Sequence, residues 1–390
     1  MSEPICIHNG TIITGFSVME NCSVLVQDGM IEDVFSEKRF LQKHFDPSLR
    51  IIEAEGAFIA PGFIDTHVHG FAGAGTEDSS PESIIEMSRV LAQYGVTSFN
   101  PTLYPGEPEQ LAAAIRAVVA AMGHETGARI MGLHLEGPFI SPEKLGVQRP
   151  ETVSPVDLVL MERLWEASEG HIVNMTVAPE LKGMRELALS CIRKEIVLQA
   201  GHTNATYENM VEGMQAGILH STHLFNAMSQ MHHRNPGAVG AVLIHPEMSC
   251  EIIADGVHVH PDLIRLLVRD KPLDKIVLVT DALKPTVQGG GNLIANGEEV
   301  VYHDGCFHRK KDDVIAGSAL TMIAGVKNLI SFGLPVEQAV KMASGNPAQV
   351  MRYSRKGALI PGYDADLVVF DRYCNVLATV IGGLVKKNIL

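Results

Sequence analysis

Apolar and amphipathic segments alternate along the middle of the chain. The apolar, β-branched runs lie at 57–65, 96–100, 129–135, 171–177, 196–200, 218–223, 250–254 and 275–280. Stretches with a helical period separate or follow them, among them PESIIEMSRVLAQYG, PEQLAAAIRAVVAAMG, TYENMVEGMQAG, PDLIRLLVRD, SALTMIAGVKNLISFG and PVEQAVKMAS. Eight strands joined by helical crossovers predict an α/β fold, a (β/α)8 barrel of the TIM type.

Both ends of the chain have a different pattern, in which short apolar runs alternate with turn residues. An Asn-Gly pair at 9–10 and an Asp-Gly pair at 28–29 separate such runs, and these pairs are strong hairpin signals. The C-terminal segments KGALIPGYDADLVVFD and NVLATVIGGLVKKN are also β-rich. We therefore predict a small β-sandwich domain from residues 1–58 and 356–390, and a catalytic barrel domain from 59–355.

Composition narrows the class of protein. Of the 390 residues, 46% are hydrophobic, which is enough for a large core, and the formal net charge is -14. That charge provides no basic field for nucleic acid or an anionic membrane. No apolar run reaches the ~18–20 residues of a membrane span, MSEPICIHNG does not look like a signal peptide, and the six cysteines form no CxxC pair. We expect a cytoplasmic protein that binds neither nucleic acid nor membrane.

Five segments end in side chains that can bind a metal or move a proton, just where an apolar run stops. These side chains are His67 and His69, Glu136, His202, His223, and Asp281. A parallel barrel brings the C-terminal ends of its strands to one face. One carboxylate and two imidazoles, Glu136 with His202 and His223, suit Zn2+, Fe2+, Co2+ or Mn2+ with a coordination position left open. The pattern predicts a hydrolytic metal centre at the barrel mouth.

The remaining residues of this group admit two interpretations each. His67 and His69 point to the same side of a strand and can face one ion, or they are solvated loop histidines beside Gly70. Asp281 can take a proton from an attacking water and return it to a leaving amine, or it is a loop or N-cap aspartate. In isolation the second interpretation of Asp281 would be preferred.

Two further residues are expected near the same mouth. Arg234, in NAMSQMHHRNPG, can bind a phosphate through two parallel hydrogen bonds, or it is a surface arginine in the turn at 235–237. His258 ends the seventh strand in ADGVH, so its side chain is also expected at the barrel mouth.

The motifs resemble those of the amidohydrolase superfamily and, within it, the family of N-acetylglucosamine-6-phosphate deacetylases. PGFIDTHVHG and GALIPGYDADLVVFD are similar to the superfamily's entry into the barrel and its return to the β-sandwich. HLEGPF, GHTNAT, THLFNAM, HHRNPG, ADGVH, VTDAL and IAGSALTM are similar to signatures of the deacetylases, and the resemblance runs from about Asn9 to about Phe370. It implies metal-dependent hydrolysis of N-acetyl-D-glucosamine 6-phosphate to D-glucosamine 6-phosphate and acetate.

The resemblance also implies roles for individual residues. The family's principal metal ligands and catalytic aspartate correspond to Glu136, His202, His223 and Asp281. The residues implied to contact the substrate are Asn226, Ala227, His258, Ile315, Ala316 and Gly317. Arg234 is similar to an arginine that reaches the phosphate in the neighbouring subunit, which implies a homodimer.

Two positions depart from the family pattern. Some members have Gln and Asn where this chain has His67 and His69, and those bind one metal, so the resemblance implies one or two ions per subunit. In GVQRP, Gln148 stands where some relatives have a substrate-contacting histidine. Glutamine can still hydrogen-bond but cannot act as an acid at neutral pH, and we carry over Val147 and Gln148 as substrate contacts on this weaker basis.

Three alternatives remain at this point. The substrate could be N-acetylgalactosamine 6-phosphate, which differs at one hydroxyl. The chain could be a cyclic amidase or deaminase, although no lysine stands at the position of Glu136. It could also be a non-catalytic protein on an amidohydrolase scaffold, although every expected ligand position is filled.

Overall fold

The computed structural model describes residues 3–15 and 17–390. The strands are β1 Ile5–Ile13, β2 Val18–Gln27, β3 Met30–Ser36, β4 Arg50–Glu53, β5 Phe58–Pro61, β6 Phe63–Val68, β7 Gly70–Phe71, β8 Ala74–Gly75, β9 Val96–Leu103, β10 Arg129–Ile130, β11 Leu133–Glu136, β12 Ile172–Val177, β13 Val197–Ala200, β14 His220–Ser221, β15 Cys250–Ile253, β16 Ile276–Val279, β17 Ile294–Ala295, β18 Glu298–His303, β19 Cys306–Arg309, β20 Leu367–Phe370, β21 Val376–Ile381 and β22 Leu384–Asn388. The helices are α1 Glu37–Phe40, α2 Pro81–Leu91, α3 Pro108–Ala121, α4 Leu158–Ala167, α5 Met184–Arg193, α6 Tyr207–Gln215, α7 Gly237–Ile244, α8 Pro261–Asp270, α9 Met322–Ser331, α10 Val336–Ala343 and α11 Gly345–Val350. Within the described ranges, no helix has the length and apolar character needed to cross a bilayer.

Strands from both ends of the chain form one eight-stranded sheet. Its order is β22-β21-β20-β5-β1-β2-β3, and β4 pairs in addition with β1. The sheet has a core of its own, to which Ile7, Val24, Ile59, Leu367 and Val380 contribute. The two ends of the sequence therefore fold together into one unit, separate from the parallel sheet of the middle.

The turn predicted at the first Asn-Gly pair is wrong, because β1 continues through it. Asn9 has a φ of 56°, and the register with β2 shifts between Ile7 and Gly10, so the pair forms a bulge instead of a hairpin turn. A Cβ on Gly10 would lie only 2.4 Å from Cδ1 of Ile59. The Asp-Gly pair at 28–29 does turn β2 into β3, with positive φ at both residues.

The middle of the chain forms a curled parallel sheet. β6 pairs with β9, and the sheet continues through β11, β12 and β13 to β14, while β15 and β16 form a second parallel pair. Backbone hydrogen bonds reach this pair from both sides, from Ser221 N to Ser249 O and from Asp281 N to His67 O, each 2.9 Å long. Each of the eight predicted apolar runs contains a strand, so the predicted α/β alternation is confirmed.

The apolar run at 57–65 serves both sheets. Its first part is β5, which joins the terminal sheet, and its second part is β6, which enters the parallel sheet. Gly62 lies between them, and its N–H donates to Asp366 O at 2.9 Å. A Cβ at this glycine would lie 2.1 Å from Cγ2 of Thr97, so the crossing point leaves no room for a side chain.

Helix α2 buries one face against the parallel sheet. In α2, Ser80 caps the first turn by accepting a hydrogen bond from Ser83 N at 3.4 Å. Ile84, Met87 and Leu91 follow at helical spacing and are buried in the core shared with the strands. The helices thus cover the outside of the parallel sheet and leave the ends of its strands free to carry polar side chains.

A three-stranded antiparallel sheet of β17, β18 and β19 interrupts the alternation after β16. This sheet was not predicted from the sequence. Two of the basic side chains in its HRKK segment pair with β18, since Lys310 Nζ lies 2.7 Å from Glu299 Oε2 and Lys311 bonds to Glu298. The sheet leads into residues 314–317, which return the chain to the end of the parallel strands.

We expect Gly62→Ala to destabilise the protein by about 1–3 kcal/mol, because an added methyl group overpacks the site against Thr97. The measurement is the midpoint of urea unfolding. Gly289→Ala is the matched control, since nothing lies within 4 Å of its Cβ position. Equal midpoints for the two variants would show that the crossing between the sheets is not tightly packed.

Candidate metal centre and active site

The three predicted principal metal ligands meet at the C-terminal ends of parallel strands. Glu136 ends β11, while His202 and His223 follow β13 and β14. Nε2 of His202 lies 3.0 Å and Nε2 of His223 lies 3.1 Å from Glu136 Oε1, and the two nitrogens are 3.2 Å apart. Both histidines have positive φ values, 46° and 23°, a conformation that is rare for such residues and concentrated at functional sites.

His67, His69 and Asp281 form a second group beside the first. Nε2 of His69 lies 3.4 Å from Asp281 Oδ1 and 3.4 Å from Glu136 Oε2. Nε2 of His67 lies 3.5 Å from Asp281 Oδ1 and 3.5 Å from Glu136 Oε1. Glu136 therefore faces both groups, and the six side chains form one continuous cluster.

The donor atoms of this cluster fit a divalent ion. His67 Nε2 is buried and has no hydrogen-bond partner, although it faces two carboxylates. Nε2 of His202, Nε2 of His223 and Oε1 of Glu136 converge within 3.2 Å of one another, and a cation there attracts both imidazole lone pairs and the carboxylate oxygen at once. Imidazole and carboxylate are the ligands that zinc and related first-row ions bind. The chain thus has two adjoining groups able to hold a metal.

The cluster holds both carboxylates in their ionised form. Burial raises the pKa of Glu136, but the imidazoles of His202 and His223 outweigh it and hold that pKa well below its ordinary value. Burial likewise raises the pKa of Asp281, but His67, followed by His69, brings it below its ordinary value. Both groups can therefore act at neutral pH as ligands or as proton acceptors.

Hydrogen bonds at the second ring nitrogen orient three of the four imidazoles. His202 Nδ1 lies 2.9 Å from Lys144 O, and His69 Nδ1 lies 3.1 Å from another backbone carbonyl. His67 Nδ1 lies 2.9 Å from Glu251 Oε2. A proton on Nδ1 leaves the lone pair of Nε2 directed at the centre, as in known metal sites.

Glu251 is a functional candidate that the sequence analysis missed. It lies in β15 and is fully buried, and besides His67 it accepts hydrogen bonds from Gln199 Nε2 at 2.8 Å and His223 N at 3.3 Å. The sequence signal was a single carboxylate inside the apolar strand CEII. A buried carboxylate requires polar partners, so this residue could have been singled out.

A cavity of about 290 Å³ opens over the cluster. The predicted site residues that line it are His69, Glu136, Val147, Gln148, His202, His223, Asn226, Ala227, His258, Asp281, Ile315 and Gly317. Two predicted residues, His67 and Ala316, are buried outside the lining. Arg234 is exposed on a turn outside the lining, with Nη1 2.9 Å from His233 Nε2. The structure therefore brings most of the predicted residues, but not Arg234, to one cavity.

Two polar residues of the lining are held by carboxylates. His258 Nδ1 lies 2.6 Å from Asp255 Oδ2. Gln148 Nε2 donates a hydrogen bond of 2.5 Å to Glu136 Oε2. The histidine therefore keeps Nε2 as its remaining ring nitrogen, and the glutamine contacts the cluster of candidate metal ligands directly.

Tyr104 is a second residue that the sequence analysis missed. Its ring stacks on His69 with the centroids 3.9 Å apart and the planes at 7°. The rest of the lining that was not predicted consists of Gly146, Leu283 and Val314. Tyr104 follows β9, and nothing in the sequence distinguishes it from a core residue, because aromatic residues are common in protein cores.

Comparison with known proteins assigns the family. The sequence model of the amidohydrolase family matches residues 58–388. The chain belongs to the amidohydrolase family. Enzymes of the amidohydrolase family are hydrolases that use divalent metal ions, which agrees with the two ligand groups. The resemblance that the motifs indicated is confirmed.

Individual relatives within the amidohydrolase family match almost the whole chain. N-acetylglucosamine-6-phosphate deacetylase of Bacillus subtilis (strain 168) is 33% identical, over 98% of this chain and 97% of the relative. N-acetylgalactosamine-6-phosphate deacetylase of Escherichia coli O157:H7 is 31% identical, over 85% of this chain and 89% of the relative. The crystal structure of N-acetylglucosamine-6-phosphate deacetylase from Pasteurella multocida superposes with a TM-score of 0.92 at 29% identity, covering 99% of this chain and 100% of that one.

We expect Glu251→Gln to weaken metal binding by about 10- to 100-fold, the usual effect of losing a partner of a ligating histidine. The substitution removes the negative charge beside His67. It also replaces a carboxylate that only accepts hydrogen bonds with an amide, whose NH2 group cannot accept from the donors around it. The measurement is competition for Zn2+ with a chromogenic chelator. Glu247→Gln is the matched control, since that side chain is 54% exposed. Unchanged zinc affinity in folded Glu251→Gln protein would contradict the role of this residue.

Proposed function

We propose that this chain hydrolyses N-acetyl-D-glucosamine 6-phosphate to D-glucosamine 6-phosphate and acetate, a step of amino-sugar metabolism. The observation that carries the proposal is the meeting of a metal-ligand cluster and the ionised Asp281 in one cavity. Similarity to N-acetylglucosamine-6-phosphate deacetylases over nearly the whole chain also supports the proposal. Amide hydrolysis needs an activated water, a stabilised oxyanion and a proton for the amine, and the cavity has groups for each.

Glu136, His202 and His223 would hold the principal ion. We propose Zn2+, Fe2+, Co2+ or Mn2+, with one or two ions per chain, the second at His67, His69 and Asp281. When bound, such an ion polarises an amide carbonyl and lowers the pKa of water. The short distances within both groups and the buried, unpartnered His67 Nε2 support this assignment.

Asp281 carries the proton transfers in the proposed mechanism. Its carboxylate takes a proton from water while the water oxygen bonds to the amide carbon. The carbon–nitrogen bond then breaks, and Asp281 gives that proton to the departing amine nitrogen. His67 and His69 hold the pKa of Asp281 below its ordinary value, so the group is ionised before the attack and starts as a base.

His258 is proposed to stabilise the oxyanion that develops on the carbonyl oxygen. It lines the cavity, and Asp255 holds its Nδ1. Because Nδ1 is engaged by Asp255, Nε2 is the ring nitrogen left to face the developing oxyanion. Such a donor acts only as charge develops, which is how electrostatic stabilisation accelerates acyl transfer.

The sugar and its phosphate are proposed to bind along the remaining lining. The proposed contacts are Asn226, Ala227, Val147, Gln148, Ile315, Ala316 and Gly317. All of them except Ala316 line the cavity, and Ala316 lies within the same loop. The phosphate takes no part in the chemistry, but binding energy remote from the amide orients that amide and lowers the barrier.

A homodimer is proposed in which Arg234 binds the phosphate in the neighbouring subunit. Arg234 is exposed and does not line the cavity of its own chain. A guanidinium group binds phosphate through paired hydrogen bonds, so an exposed arginine is suited to this contact.

The finer architecture is also a proposal. We propose that β6, β9, β10 with β11, and β12 to β16 close into an eight-stranded barrel, since hydrogen bonds reach both sides of the β15–β16 pair. A Cβ on Gly29 would lie 3.1 Å from Gly382 O, so the turns of two distant hairpins meet, as in a β-sandwich. The division into 1–58 with 356–390 and 59–355 stays a proposal, and residues 1, 2 and 16 lie outside the described residues.

N-acetylgalactosamine 6-phosphate is the second candidate substrate, because a deacetylase with that name is also a relative at 31% identity. A non-catalytic role is disfavoured, because the cluster has every expected ligand and a cavity above it. The cytoplasmic location stays a prediction.

Acetate release tests the proposed function. Chelator-stripped protein is reloaded with Zn2+, Fe2+, Co2+ or Mn2+ and given the gluco and galacto 6-phosphates and unphosphorylated N-acetylglucosamine. We expect metal-dependent release from the gluco phosphate and little from the unphosphorylated sugar. Faster release from the galacto phosphate would favour the second candidate, and no release by folded, metal-loaded protein would refute both.

Asp281→Asn should lower turnover by about 10^2- to 10^4-fold, the usual contribution of general acid–base catalysis. The amide cannot accept the proton from water. Bound metal measured on the same samples separates a loss of chemistry from a loss of the ion. Turnover near that of the parent chain would remove Asp281 from the mechanism.

Arg234→Ala should raise KM by about 10- to 100-fold, since hydrogen bonds to a charged group contribute about 1.5–3 kcal/mol. Arg269→Ala, a change at another exposed arginine, is the control. Mixing Arg234→Ala with Asp281→Asn protein should restore activity at low substrate concentration, because each mixed dimer then has one complete site. No recovery despite demonstrated subunit exchange would exclude the contact across the interface.

A further inference from the structure

A third group of metal-ligand side chains lies away from the cavity lining, at the hairpin of β18 and β19. His303 Nε2 lies 3.0 Å from Asp313 Oδ1, and His308 Nδ1 lies 3.4 Å from the same oxygen. One ligand atom of each residue lies within 4.8 Å of the other two. The two imidazole rings stack with their centroids 3.7 Å apart. Two imidazoles and a carboxylate around one point are a donor set for zinc-like ions.

The backbone of the hairpin sets this spacing. His303 pairs across the hairpin with Cys306, two residues before His308, so the imidazoles are diagonal neighbours on one face. Asp313 joins from the turn after β19, where it has a left-handed backbone conformation with a φ of 61°. The three ligands thus come from three fixed points of a short segment, and no rearrangement of strands is needed to bring them together.

The second ring nitrogens of both histidines also have partners. His308 Nε2 lies 3.2 Å from Sγ of the buried Cys306. His303 Nδ1 lies 3.3 Å from Asp304 Oδ2. Histidines that ligate metals are held through the other nitrogen in this way. One nitrogen of each ring faces the shared Asp313 Oδ1, and Nδ1 of His308 also lies 3.2 Å from the backbone oxygen of Asp313. The other nitrogen of each ring has its own partner.

We propose that His303, His308 and Asp313 form a separate binding site for a divalent cation of the zinc class. The side chains are 40%, 11% and 74% exposed, respectively. Solvent therefore has access to complete the coordination, as in sites that exchange their ion and unlike closed structural sites. The site is distinct from the cluster around Glu136, with which it shares no residue.

An ion here would restrain a loop of the active-site cavity. The chain passes from Asp313 directly into the loop 314–317, three residues of which line the cavity. Ala316 N donates to Phe307 O at 2.9 Å, so the loop is already bonded to β19. A cation that joins Asp313 to the two strands therefore fixes the start of this loop without touching the substrate.

Zinc stoichiometry tests the proposal. Full-length protein is stripped with chelator and dialysed against Zn2+ at about pH 8. Bound zinc per chain is measured for the parent chain, His303→Ala, Asp313→Asn and the control His124→Ala, which changes an exposed histidine between α3 and β10. We expect the two hairpin variants to bind one zinc ion fewer than the parent and the control.

Hydrogen exchange of the backbone at 303–313 gives a second readout. Zinc should slow exchange in the parent and in His124→Ala, and it should not do so in His303→Ala or Asp313→Asn. Equal zinc content in all four proteins, or exchange at 303–313 that does not respond to zinc in the parent, would overturn the proposal. Circular dichroism checks that the variants are folded. If a variant is unfolded, the effect of zinc on hydrogen exchange at 303–313 in the parent chain decides the test.

Discussion

The buried carboxylate of Glu136 is the constraint on which the site depends. An isolated charge in a protein interior is strongly unfavourable, and it persists only with close partners of opposite charge or with a metal. Four imidazole nitrogens lie 3.0–3.5 Å from its two oxygens. The four imidazoles come from three separate segments of the sequence, so the carboxylate is satisfied only when the strands around it are correctly assembled.

The parallel strands provide the positions for this assembly. Their C-terminal ends meet on one face, and Glu136, the histidines and Asp281 lie at or just beyond those ends. Positive φ values at His202, His223 and Asp281 mark the points where the chain leaves the strands. Beneath them, Glu251 joins His67, His223 N and Gln199 in a buried network, so the second layer of the site is polar as well.

The rest of the fold supports this layer from two directions. The terminal sheet adjoins the parallel sheet at Gly62, where a single residue separates β5 from β6 and therefore limits how far the strand of His67 and His69 can move. On the other side, the hairpin of β18 and β19 presents the loop 314–317 to the cavity. The cavity thus has a rigid floor of strand ends and one wall made of a loop attached to a small separate sheet.

The sequence by itself determined the alternation of strands and helices, the β-rich ends, and the ligands that end apolar runs, because periodicity and local chemistry act over a few residues. Only the tertiary structure decided that the Asn-Gly pair at Asn9 is a bulge, since that depends on how β1 pairs with β2. It also decided the position of Glu251. The role of this residue depends on its partners, such as His67, which is 184 residues away in the chain. For Arg234, the sequence predicted the turn in which it lies. It did not predict that Arg234 is exposed outside the lining of the cavity. Local pattern specifies what a residue can do, and long-range packing specifies which residues it meets.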